Sequence, residues 1–157
     1  MKPYNIYSTI LASAFLMVTT TAFSLNALAV EASNASGQDV SASKASKVVI
    51  QVSDNDPKKW NLALNNAKNI QQDLGKSNVD VEIVAYGPGL PMLKLDSETG
   101  TRIAEAIDAG VKVVACENTM RNTKLTQEDM LPHLNYVKSG VPYLMKKQAE
   151  GYSYIRP

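Results

Sequence analysis

The chain carries one cysteine, Cys116, and one histidine, His133. Cys116 closes a run of small and β-branched residues, Val111, Val113, Val114 and Ala115. A polar cluster follows it: Glu117, Asn118, Thr119, Arg121, Asn122 and Thr123. The run reads as a buried strand and the cluster as the loop at its carboxyl end, which puts a thiol at a strand tip. Thiolate is the reactive form of cysteine, and a nearby cation or free backbone N–H groups raise its share. Arg121 would supply the cation, and a helical turn capped at Asn118 or Thr119 the N–H groups. Asn118, Arg121 and Asn122 are therefore candidate donors to an anionic sulfur. Asp54 belongs to the turn expected on the other side of the same crevice. The competing reading is a strand cysteine that packs like alanine.

Other chemistries fit the residue supply less well. Cys116 and Met120, four apart, with Met130 and His133 downstream, are soft ligands of the kind that suit Cu(I). Six methionines and one histidine leave little for a dedicated metal cage, so neither a metal nor a cofactor is expected. His133 has no carboxylate or second histidine at a usable spacing, so a Cys/His pair can arise only through the fold. Tyr86 reads as packing. Gly87-Pro88-Gly89 does not continue as a dinucleotide or phosphate-loop fingerprint. With 16 basic and 15 acidic residues the chain has no excess charge to mark a nucleic-acid or anionic-membrane partner.

The amino-terminal 29 residues read as a signal peptide. Lys2 precedes a charge-free stretch from Ile6 to Phe23, and Ala27-Leu28-Ala29 forms a small-x-small cleavage site. Thr19, Thr20, Thr21, Ser24 and Asn26 weaken the rival reading of an uncleaved membrane anchor. Residues 30–46 are Ala/Ser-rich and read as a flexible linker. The expected product is periplasmic or secreted, with no stable membrane association after cleavage. In an oxidising compartment a single thiol is inert, bridged to another chain, or reactive.

Residues 47–157 form one domain in which βα alternation positions the thiol. Val48, Val49, Ile50 and Val52 make a nearly continuous apolar strand, and Asp56-Pro57 opens a helix with Trp60, Ala63, Leu64, Ala67, Ile70 and Leu74 on one face. The next strand, 78–86, begins by alternating, with Asp80 and Glu82 outward, and is expected at or near a sheet edge. A helix through Ile103 and Ile107 leads to the Cys116 strand. The simplest order puts the first strand in the middle with the second and third on either side. Cys116 and the Ser53–Asp56 turn then flank the switch-point crevice. Downstream, a helix of about two turns is expected from Thr126 to Pro132, a short strand at 134–137, a helix ending at Glu150 and an edge strand at 152–155. The fold class is α/β, a doubly wound, flavodoxin-like three-layer sandwich around a mostly parallel sheet of about five strands.

From Lys47 to Pro157 the chain resembles the DsrE/DsrF-like family. The likeness rests on the order of elements, on the cysteine in GVKVVACENTM, and on the tail KSGVPYLMKKQAEGYSYIRP. It implies that Cys116 accepts a sulfane sulfur as a persulfide and passes it on. It also implies a trimer or hexamer and a partner protein that gives or takes the sulfur. A non-catalytic oligomeric binding module with a structural Cys116 is the alternative.

Overall fold

The computed structural model describes residues 45–157. The expected signal peptide (1–29) and all but the end of the expected linker (30–46) lie outside the described residues. Five parallel strands form the sheet: β1 (Ser46–Val52), β2 (Val79–Ala85), β3 (Lys112–Cys116), β4 (Asn135–Val137) and β5 (Ser153–Ile155). Their order is β4-β3-β2-β1-β5. Between them run α1 (Pro57–Leu74), α2 (Gly100–Asp108), the short α3 (Glu117–Asn122) and α4 (Gly140–Ala149).

Alternation along each strand divides the core in two. Val48, Ile50 and Val52 of β1, Val81 and Ile83 of β2, and Val113 and Ala115 of β3 pack with Trp60, Ala63, Leu64 and Ala67 of α1 and Ile103 of α2. The intervening residues, Val49, Val84 and Val114, face the other way and pack with Leu144 of α4 and Tyr152. Helix α1 starts where the sequence places it, because Asp56 Oδ1 accepts the Lys58 N–H at 2.9 Å and Pro57 occupies the first turn. Gly75, at φ +86°, ends it.

Strand order departs from expectation. β2, not β1, is the middle strand, and it separates β1 from β3. The chain steps from β1 to β4 in one direction and then returns past β1 to β5. Right-handed crossovers therefore put α1 and α2 on one face and α4 alone on the other. The reversal of winding lies at β1 and β5, two strands from Cys116. The alternation of Asp80 and Glu82 marked a polar face and not an edge. Glu82 is fully buried beneath α4, where Lys147 Nζ (2.8 Å), Lys112 Nζ (2.9 Å) and the Tyr143 hydroxyl (2.8 Å) meet its carboxylate.

Two local expectations also change. The two-turn helix after Thr126 is a single 3₁₀ turn, Gln127–Asp129. Leu95 N–H donates to Asp129 O at 3.0 Å and Leu131 N–H to Leu93 O at 2.9 Å, and this pairing draws the backbone out of a helical path. The glycines of Gly87-Pro88-Gly89 open a 3₁₀ segment, Gly87–Leu93. A Cβ on Gly89 would lie 2.4 Å from Val52 O, so the close approach there is to the chain's own first strand.

Candidate functional site

Cys116 ends β3 and is also the N-cap residue of α3, where its side chain makes no capping hydrogen bond. It shares the sheet face of Val114 and looks toward α4. Gly140, the first residue of α4, donates its N–H to Cys116 Sγ at 3.3 Å. Thr119 and the Asn118 amide lie near enough to favour a charged sulfur, but the Gly140 contact is the one with hydrogen-bond geometry. The Asn118 amide donates to Lys138 O at 3.2 Å. Thr119 is itself held in place, since the Gly87 N–H donates to its Oγ1 at 2.9 Å.

These donors decide the thiol's electrostatics. Burial alone raises a thiol pKa, because it penalises the charged form. Here the bonds from Thr119, Gly140 and Asn118 outweigh burial and hold the Cys116 thiol below its ordinary value. A side chain that only filled space would need none of them.

The expectation that Cys116 flanks a switch-point crevice is corrected. Cys116 is 3% exposed, and β2 occupies the space between its strand and β1. What opens beside it is a groove of about 580 Å³, lined by Asn118, Arg121, Val137, Lys138, Ser139, Pro142, Tyr143 and Lys146. Cys116 itself is not part of that lining, but its neighbours are: Val137 pairs with Cys116 across the strands, and Ser139 precedes the donating glycine.

The sequence-derived candidates therefore separate. Asn118 and Arg121 stand together at the groove, the Arg121 guanidinium donating to Asn118 Oδ1 at 3.3 Å. Asn122 lies on the far side of α3, in a second hollow with Thr119, Gly87 and Lys94. Asp54 is elsewhere. It follows β1, about 10 Å from β3 by two strand spacings, and pairs with Lys59 (3.0 Å) and Arg156 (3.8 Å). Met120 and Met130 are buried in the core on the α1 side, away from the face Sγ presents to α4, so the Cu(I) grouping does not assemble. His133, at φ +64°, lies beside Gly100 and Ile103, beneath α2. Tyr86 packs, as read from sequence, and its ring sits against Gly140.

Three contributors were not anticipated. Gly140 is 24 residues from Cys116, and Thr119 acts through a glycine 32 residues away. The third is Glu82 with its partners. Despite burial, its hydrogen bonds with Lys147, Lys112 and Tyr143 hold Glu82 below the usual carboxylate range. Burial and Glu82 together push Tyr143 up to about 12. Tyr143 and Lys147, four apart on α4, thus tie the helix that carries Gly140 to the sheet. No local pattern announces this.

Comparison with known proteins agrees with this architecture. No curated protein matches the chain. The protein of unknown function MTH1491 from Methanobacterium thermoautotrophicum is similar at 35% identity over 71% of this chain and 99% of its own, with a TM-score of 0.68. BT1422 from Bacteroides thetaiotaomicron, also of unknown function, shares the fold at 17% identity, with a TM-score of 0.60 over 73% of this chain and 97% of its own. The family model for DsrE/DsrF-like proteins matches residues 14–157. The chain therefore belongs to the DsrE/DsrF-like family.

Proposed function

We propose that this protein is a sulfur carrier or sulfurtransferase in which Cys116 holds the sulfur as a persulfide. The observation that carries the reading is the Gly140 N–H donated to Sγ at 3.3 Å, which with the neighbouring Thr119 and Asn118 favours a thiolate at a buried position. In the reaction the thiolate attacks the sulfane sulfur of a donor, R–S–S⁻. A bond forms between Sγ and that sulfur, the donor's S–S bond breaks, and the electron pair leaves on RS⁻. The product Cys116–S–S⁻ is again an anion, and the same N–H and O–H groups stabilise it. Transfer to an acceptor thiolate reverses the sequence. No metal or nucleotide takes part.

The burial of Cys116 favours the second reading, a non-catalytic oligomeric module with a structural cysteine. Its lowered pKa weighs against that, because a packing cysteine gains nothing from ionising. Export by a cleaved signal peptide to the periplasm or outside, and assembly as a trimer or hexamer, are parts of the same proposal. Val141 and Met145, four apart on α4 and exposed, are apolar surface of the kind self-association covers. Intact mass after exposure to polysulfide tests the reading. Wild type gains one sulfur atom and returns it to an added thiol, whereas Cys116→Ser gains none. Equal gain by both proteins, or no gain by either, contradicts it.

A further inference from the structure

We infer that Glu82 is a positioning residue for Cys116, acting through α4: by fixing where that helix sits on the sheet, its carboxylate aims the Gly140 N–H at the sulfur. The inference rests on the persulfide reading for what the thiolate does and adds how it is held. Helix α4 has three buried residues, Gly140, Leu144 and Lys147, and only Leu144 brings the sheet a wholly apolar side chain. The core on this face is correspondingly small: Val49, Val84, Val114, Leu144 and Tyr152. Apolar contacts have no direction and let a helix slide. Hydrogen bonds have direction, and those that hold α4 converge on Glu82. The Tyr143 hydroxyl donates to Oε2 at 2.8 Å, and Lys147 Nζ, one turn on, meets Oε1 at 2.8 Å.

Glu82 is itself seated independently of α4. It lies on the middle strand, and Lys112 of β3 meets Oε1 at 2.9 Å. The Tyr152 hydroxyl, which donates to Asp80 on β2, is 3.4 Å from the same oxygen. Replacing a buried ion pair by apolar side chains often costs no stability, so stability alone does not account for one here. What the pair fixes lies at the other end of the helix. Gly140 is three residues before Tyr143 and seven before Lys147, about 10 Å of helix, and its N–H reaches Sγ at 3.3 Å. A helix pinned at Tyr143 and Lys147 cannot slide at Gly140. The charge of Glu82 acts in the opposite sense. Cys116 lies four residues past Lys112, the register partner of Glu82, about 13 Å along the sheet. A carboxylate at that distance weakly disfavours a thiolate, so removing its charge alone would lower the thiol pKa, whereas losing the position of Gly140 raises it.

The full-length protein is compared as wild type, Glu82→Gln, Tyr143→Phe and Ile103→Val, the last a control in the core on the other side of the sheet. Circular dichroism and urea unfolding establish that each is folded. The readout is the pH at which Cys116 alkylation by iodoacetamide reaches half its plateau, because the plateau rate itself changes if α4 uncovers the sulfur. Glu82→Gln is expected to raise that pH by about one unit, and Tyr143→Phe, which removes one hydroxyl and no charge, by about half a unit. Ile103→Val lowers stability and leaves it in place. An unchanged or lowered half-plateau in folded Glu82→Gln overturns the inference, and so does an equal rise in Ile103→Val. If Glu82→Gln does not fold, Tyr143→Phe decides by the same criterion. Mass gain of one sulfur from polysulfide separates the two claims: a wild type that gains none removes the persulfide reading, while the half-plateau still decides whether Glu82 positions the thiol.

Discussion

Gly140→Ala is the smallest change that separates the sulfur from one of its donors. The backbone itself accepts alanine, since Gly140 is not among the residues at positive φ. In an unobstructed helix, alanine gains up to about 1 kcal/mol over glycine. Here the new Cβ would lie 2.9, 3.0 and 3.1 Å from Cβ, Cγ and Cδ1 of Tyr86. Carbon atoms rest at about 3.5–4.0 Å, so relief needs a displacement of about half an ångström or more. Tyr86 Cβ directly follows β2 on a backbone held by Val52 O and cannot swing aside, so the first turn of α4 moves out and stretches the 3.3 Å contact from Gly140 N to Sγ. A hydrogen bond to a charged group contributes about 1.5–3 kcal/mol, and a pKa unit corresponds to about 1.4 kcal/mol. The Cys116 pKa is therefore expected to rise by about one unit. Far-ultraviolet thiolate absorbance, titrated against Cys116→Ser to remove the tyrosine contribution, reads the shift. A folded Gly140→Ala protein that titrates with wild type would refute the reasoning.

Three other outcomes follow from the same geometry. Thr119→Val removes a hydroxyl that favours the charged sulfur and leaves the Gly87 N–H without its acceptor, so the thiol pKa rises by about one unit, while Thr119→Ser keeps the wild-type titration. Glu82→Ala removes the closest partner of the buried Lys147 charge, leaving it only Glu150 at 3.5 Å, and is expected to cost about 3 kcal/mol in urea unfolding; an unchanged midpoint would show that the network contributes nothing. Stability should also track pH through Cys116. Because the folded-state pKa lies below the ordinary 9.0, the thiolate's contribution is fully present above 9.0 and is lost as pH falls through the folded value. The stability difference between wild type and Cys116→Ser should therefore grow on going from neutral to alkaline pH, and a flat difference contradicts the shift.

What the sequence disclosed was what local patterns encode. The apolar run of β1, the Asp56-Pro57 start and Gly75 stop of α1, and the thiol at the end of β3 each follow from a few neighbouring residues, and the structure has them where expected. Strand order depends on which face α4 covers. A run such as Val-Asp-Val-Glu-Ile states that one face is polar but not that Lys147, Lys112 and Tyr143 will arrive to bury Glu82. The site divides along the same line. That Asn118 and Arg121 lie near Cys116 was legible because they follow it closely in the chain. Gly140 was not, because a glycine supplies only a backbone N–H and the place it reaches is set by Tyr86, just past the end of β2. Asp54 was misplaced for the same reason as the strand order, since the crevice assigned to it is filled by β2.

The most direct measurement is the pH dependence of wild-type Cys116 alkylation by iodoacetamide, in the native protein and in denaturant. A stabilised thiolate within reach of the groove predicts labelling of the native protein, with a rate that reaches half its plateau at a lower pH than in the unfolded chain. Native labelling that occurs only after unfolding, or a half-plateau at or above the unfolded value, would contradict it.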